Sequence, residues 1–274
     1  MLLAIASCLL GACAGALSSF QPAHIGKKGQ VRAEAGMDVS VPLGTFSDVI
    51  DGAKALASAA NERELTDAER TEVLEAGASI ALAPPGVVTH VGGTYVPLDH
   101  LEIGLRTAGG GWRAGARYQL LSQERHKLDL SAGVAVSRFA YEFPVSDIIG
   151  IVSLDDFTRY GLEIPITVGQ HGSWYRWWMG PRLMFDRFSS QLTYSQPPVG
   201  SLPASETVAS IKGTSSLLGA QGGVALGFRK VFIAVEFTAV NLDSNATMTL
   251  LSNKQDVDVG GLVIYPGIAI MGEI

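Results

Sequence analysis

The feature that most constrains this chain is a hydrophobic period of two residues that recurs along most of its length. In FTRYGLEIPITVGQ (157–170), Tyr160, Leu162, Ile164, Ile166 and Val168 share one face, while Arg159, Gly161, Glu163, Pro165, Thr167 and Gly169 share the other. Successive strand side chains point to opposite sides of a sheet, so the period means β-strand. The same split runs through VRAEAGMDVSVPLG (31–44), LEIGLR (101–106), WRAGARYQL (112–120), LDLSAGVAV (128–136), YRWWMGPRLMFDR (175–187), LGAQGGVALGF (218–228), VFIAVEFTA (231–239) and GLVIYPGIAI (261–270). A weaker run, VVTHVGGTY (87–95), brings the expected strands to about ten, an even number that suits an antiparallel barrel. Pro165 has no N–H to give to a ladder, so a bulge or kink is expected there.

Alternation alone leaves open which face meets water. An apolar face turned inward makes a soluble, lipocalin-like barrel; turned outward, it makes a membrane barrel. The polar faces carry Arg32, Arg106, Arg113, Arg117, Arg159, Arg176 and Arg182 against Glu34, Asp38, Glu102, Asp129, Glu163, Asp186 and Glu236, with no lysine among them. Solvent-facing surfaces usually mix in lysine, whereas the guanidinium fork suits enclosed carboxylate pairing. These fourteen residues are therefore expected to form an ion-paired lumen. The apolar faces hold many large side chains, which would overfill a small barrel if they pointed inward. Aromatic residues cluster near strand ends, with Trp174, Tyr175, Trp177 and Trp178 after one turn and Phe139, Tyr141 and Phe143 before one loop. They are expected to form two interfacial girdles.

Connection lengths agree. The long ones (45–86, 143–156, 191–210 and 244–256) all occupy odd places in chain order, and the even places are short. From about Val31 to Ile274 the chain resembles bacterial outer-membrane β-barrel proteins, although it ends in Ile274 where such barrels commonly carry an aromatic residue. The resemblance implies an antiparallel transmembrane-type barrel in the outer membrane of a Gram-negative bacterium. Its partners would then be the lipid bilayer and the barrel-assembly machinery.

The barrel domain is expected over 31–274, with a small helical insert at 45–80 between the first two strands. In that insert Val49, Ile50, Ala53, Leu56 and Ala57 share a helical face, and Thr66-x-x-Glu69 has the form of a capping box. Ahead of the barrel, MLLAIASCLLGACAGALSSF reads as an export signal over 1–12 followed by a linker over 13–30. Leu10-Gly11-Ala12-Cys13 resembles a lipobox, which would make Cys13 a lipid anchor; ordinary cleavage after Ala14 or Ala16 is the alternative. Cys8 and Cys13 are the only cysteines, so no disulfide is expected in the exported chain.

Chemistry is sparse. The sequence has no nucleophile elbow, zincin helix, paired-cysteine motif or P-loop. His24, His90, His100, His126 and His171 are scattered, the last three beside short turns, and neither a metal nor a cofactor site is expected. His90 and Asp38 both point inward by parity and could make a general-base pair, with structural hydrogen bonding as the competing role. The charged fraction of 17% and net charge of −6 give no reason to expect nucleic acid. Nor does any apolar run beyond the leader reach the length of a transmembrane helix. The expectation is a non-enzymatic barrel with a structural or surface-recognition role through its loops and an extracellular ligand unidentified. A narrow solute channel, a barrel hydrolase and a soluble periplasmic ligand-binding barrel are the alternatives.

Overall fold

The computed structural model describes residues 17–141, 145, 148–200, 203–250 and 253–274. Cys13 with the rest of the leader, Phe143 and the side chain of Tyr141 lie outside the described residues. The alternating runs become β1 (Val31–Leu43), β2 (Gly86–Leu98), β3 (Leu101–Ala108), β4 (Gly111–Leu121), β5 (Asp129–Tyr141), β6 (Val152–Glu163), β7 (Ile166–His171), β8 (Tyr175–Gln196), β9 (Ser205–Phe228), β10 (Val231–Leu250) and β11 (Asn253–Glu273). All pairings are antiparallel, and β1 pairs with β11 from Arg32 opposite Glu273 to Leu43 opposite Leu262, which closes the sheet.

β6 and β7 share the same two neighbours, β5 and β8, so they are halves of one interrupted strand in a closed ten-stranded barrel. The interruption falls at Ile164 and Pro165, but the register survives it, with Glu163 opposite Ala135 and Ile166 opposite Ala132. No bulge forms there because a missing donor removes a rung without adding a residue. The register shift in this strand lies between Asp155 and Thr158, where Asp156 takes a positive φ of 53°.

Short connections at 99–100, 172–174 and 229–230, together with a one-turn helix α3 (Gln123–His126), define a turn end of the barrel. At the opposite end the wall is uneven. It is low where Gly109 and Gly110 join β3 to β4, and tall where β8, β9, β10 and β11 run on for 22, 24, 20 and 21 residues. Much of what the sequence suggested as loops at 191–210 and 244–256 is thus continuous strand.

These long strands reverse their sidedness part-way up. Near the turn end the outward residues of β10 are Val231, Ile233, Val235, Phe237 and Ala239, with Glu236 and Thr238 facing in. Higher up, Asn241, Asp243, Asn245 and Thr247 face out while Val240, Leu242, Ala246 and Met248 face in. β8 changes between Phe185 and Arg187, and β9 between Leu218 and Ser216. The outward apolar stretch therefore spans about nine to eleven residues, the length a tilted strand needs to cross a bilayer. Above it the wall is an ordinary water-facing sheet with an apolar inner face.

A helical hairpin, α1 (Thr45–Ala59) and α2 (Asp67–Leu82), fills the space that inner face encloses. Val73, Leu74, Ile80 and Leu82 of α2 are buried in one cluster with Phe188, Leu192, Ile211, Leu242 and Val257 of the wall. Gly77 permits the close approach, since a Cβ there would stand 2.9 Å from Val152. The carbonyl of Leu82, at the negative end of the helix, accepts a 3.1 Å hydrogen bond from Arg159 Nη1.

The turn into α2 is pinned by the expected capping box, with Thr66 Oγ1 accepting from the Glu69 N–H and Glu69 accepting from the Thr66 N–H. Arg63 forks onto Glu69 at 2.8 and 2.5 Å. Arg63 foremost, then the Thr66 hydrogen bonds, holds the Glu69 carboxyl at about 2 against its usual 4.5. A depressed folded pKa stabilises fully above the unfolded value and is lost as pH falls through the folded one. Acidification from pH 5 to 2 is therefore expected to lower the amide protection factors of the hairpin, each referred to the intrinsic rate at that pH, and Glu69→Gln to flatten that dependence. A wild-type profile as flat as the variant's would remove Glu69 from the hairpin's support.

Candidate functional site

The inward faces of the lower barrel build an electrostatic lattice. Arg32 meets Glu102 at 3.3 Å and Glu273 at 3.4 Å, Arg117 meets Glu102 at 2.5 Å, and Arg176 meets Glu273 at 3.0 Å. Higher up, Arg106 pairs with Glu34, Arg113 with Glu163 at 2.7 Å, Arg182 with Glu163, and Arg159 with Asp186 at 2.9 Å. All seven expected arginines thus find carboxylates. Three expected carboxylates do not pair with arginine: Asp38, Asp129 and Glu236. Glu273 supplies the missing charge, and extending the parity of β11 past Ile270 through Met271 would have found it.

Two of those three carboxylates, Asp38 and Glu236, hold the segment 17–25, which the sequence suggested as linker, whereas Asp129 accepts from Gln119 and from the Gln123 N–H. Leu17, Ser18, Ser19, Phe20, Ala23 and Ile25 are buried inside the barrel. An extended peptide enclosed in a lumen must satisfy its backbone from side chains, and this one does so on both edges. Asp38 accepts from Ser18 N at 3.1 Å, Glu236 from Ser19 N and from Phe20 N at 2.9 Å, and Gln119 from Ile25 N at 3.2 Å. Arg182 donates to the Leu17 carbonyl at 2.7 Å, Arg117 to Pro22 at 3.1 Å and Arg32 to His24 at 3.3 Å, while Arg106 spans the carbonyls of Ser18 and Ser19.

The lumen is closed at two levels, by this segment below and by the α1–α2 hairpin above. Phe20 stacks on His90 with centroids 5.2 Å apart, and Asp38 Oδ1 stands 4.0 Å from His90 Nδ1, beyond hydrogen-bond reach. The two residues that could make a general-base pair are thus neighbours covered by a phenyl ring.

Outside, the lower barrel exposes Val91, Leu105, Val134, Leu162, Met179, Leu226, Ile233 and Ile270 in a continuous apolar belt. Such a belt is far larger than a soluble monomer leaves exposed, so the chain is a membrane β-barrel and the soluble alternative fails. Of the expected girdle, Trp174, Tyr175 and Trp177 face outward near the turn end, joined there by Tyr95, Tyr118 and Phe228. Trp178 and Phe139 face inward instead. Trp178 donates to Glu236 at 2.7 Å, and Phe139 lies under the Arg159 guanidinium at 5.5 Å. Strand parity decides their side, and clustering in sequence overrode it. Trp112, Tyr160 and Phe185 mark the upper edge of the belt, with Arg138 placed over the Tyr160 ring at 5.8 Å.

No protein-family model and no curated protein matches the sequence. Among solved structures the chain is similar to the N-terminal β-barrel domain of Pseudomonas aeruginosa OprF, at 8% identity and a TM-score of 0.23, covering 90% of this chain and 98% of that one. It is also similar to the RagAB peptide transporter, at 8% identity and a TM-score of 0.25, covering 92% and 41%. A third similarity is to an outer membrane channel from Pseudomonas putida F1, at 8% identity and a TM-score of 0.19, covering 94% and 100%. At these scores the reading of the chain rests on its own residues.

Proposed function

We propose that the chain is an outer-membrane β-barrel of a Gram-negative bacterium that is closed to solutes and presents its uneven rim for recognition at the cell surface, without catalysis. The observation that carries this is the double closure of the lumen. The 17–25 segment is held by nine backbone contacts to wall side chains below, and α2 is buried against the wall above. In this reading the turn end faces the periplasm, as short turns do in such barrels, and the hairpin faces outward. Insertion by the barrel-assembly machinery belongs to the same reading; a lipid anchor at Cys13 is a separate proposal, because Leu17, four residues on, is buried in the lumen beside the hairpin. The rim offers a depression of about 660 Å³ between α1 and the β8–β9 connection, lined by Lys54, Ser58, Asn61, Ile151, Gln196 and Pro197.

Planar-bilayer recording of the full chain tests the closed state. No unitary steps are expected from the wild type, while steady conductance from every inserted molecule would replace the recognition reading with that of a channel. Labelling with radioactive palmitate tests the anchor: incorporation is expected in the wild type and lost in Cys13→Ser, and an unlabelled wild type rejects the lipobox.

A further inference from the structure

At the turn end of the lumen, three side chains from separate parts of the chain converge. His24 comes from the internal segment, Asp129 from the start of β5 and His171 from the end of β7, and one ligand atom from each lies within 4.8 Å of the others. The sequence scatters these residues over nearly 150 positions, and only the return of the segment through the lumen brings His24 to the wall. The His24 and His171 rings stack with centroids 3.8 Å apart, and His171 Nδ1 stands 2.6 Å from Asp129 Oδ2.

We propose that His24, Asp129 and His171 bind one divalent cation of the zinc type, and that this metal latches the 17–25 segment to the barrel wall. Two imidazoles and a carboxylate are a zinc donor set that leaves a fourth position for water. His171 is partly open to solvent, which gives the ion a route in, whereas Asp129 is fully buried.

The surroundings fix each ligand. Gln119 Nε2 donates to Asp129 Oδ1 at 2.8 Å, and Gln123 N donates to the same oxygen at 2.8 Å, which leaves Oδ2 for the ion. Gln123 also clasps the His171 backbone, donating to its carbonyl at 3.0 Å and accepting from its N–H at 2.8 Å. The peptide group that joins His24 to Ile25 is held at both of its polar ends, by Arg32 at the His24 carbonyl and by Gln119 Oε1 at the N–H of Ile25. Gln119 therefore ties the segment and the carboxylate together through one amide. Partners that orient metal ligands in this way are a recurring part of metal sites.

Zinc ligands at about 2.0–2.2 Å from the ion sit roughly 3.3–3.5 Å from one another in a tetrahedron. The His171 Nδ1–Asp129 Oδ2 pair, now 2.6 Å apart, must therefore open by about 0.8 Å, and His24, within 4.8 Å of both, must close by at most about 1.4 Å. Ligation through Nδ1 uses the His171 tautomer that carries its proton on Nε2. This inference is independent of what the rim recognises.

The test uses the full chain without a histidine tag, folded in detergent, stripped with EDTA and titrated with zinc chloride. One equivalent is expected to bind, Co²⁺ is expected to give four-coordinate ligand-field absorption, and zinc is expected to slow amide exchange at residues 18–25. Changing an outer partner costs about 10–100-fold in affinity, so His24→Ala is expected to cost more than 100-fold. His24 belongs to no strand, so heat-modifiable mobility in the variant checks that the barrel still folds. No saturable zinc binding by the wild type overturns the site, as does equal affinity in His24→Ala. Binding that leaves exchange at 18–25 unchanged overturns the latch.

Discussion

Arginine in place of Val235 is expected to cost about 2–4 kcal/mol of barrel stability, whereas arginine in place of Asn245 changes it by less than about 0.5 kcal/mol. Both residues face outward on β10, ten positions apart on the same side of the same strand. Val235 is the middle of the five-residue apolar row from Val231 to Ala239, where a guanidinium would sit among acyl chains. Asn245 stands above the reversal, between Asp243 and Thr247, where its replacement meets water. Urea unfolding from lipid vesicles measures both variants against wild type. Equal costs at the two sites would show that the reversal is not the membrane boundary.

Glu236→Leu is expected to cost about 3–5 kcal/mol and to release the internal segment. The carboxylate is wholly buried and accepts from the N–H groups of Ser19 and Phe20 and from the Trp178 indole, with the Ser19 and Thr238 hydroxyls farther off at 3.4 and 3.5 Å. Leucine fills a similar volume but leaves three buried donors without an acceptor and removes a negative charge from a lattice rich in arginine. Glu236→Gln keeps one oxygen to accept those donors, so it is expected to cost roughly half as much. Unfolding midpoints report the stability, and amide exchange at Ser19 and Phe20 reports the release. A loss below about 1 kcal/mol in Glu236→Leu would mean that the segment is held by something other than this carboxylate.

Much of this architecture was legible in the alternation. Parity put Arg159 and Glu163 inside and Tyr160 and Leu162 outside, and the burial of each side chain agrees. It also paired the arginines with carboxylates as a class, although not the individual partners, which depend on the shear of strands far apart in sequence. The upper wall was less legible because alternation there sets small polar residues such as Ser210 and Thr214 against modest apolar ones such as Ala209 and Ile211. That contrast is weak beside Val against Arg, so it reads as loop. The 17–25 segment gave no signal at all, since its hold on the barrel runs through backbone groups that every sequence possesses. Only its partners were visible: Asp38 and Glu236 stood among the inward charges with their purpose unassigned.

The enclosed segment also dictates an order of assembly. The ring closes along β1 and β11, where Arg32 and Glu273 meet across 241 positions of chain. Bringing together partners so distant carries the greatest loop-closure cost of any pairing in the sheet, so this seam is the natural last step. Residues 17–25 connect directly to β1 and have to lie within the curling sheet before that seam zips, because afterwards the lattice around them is complete. Asp38, on one side of the seam, and Glu236, one strand beyond the other, then act as a cradle that gathers its occupant before the last edge is sealed.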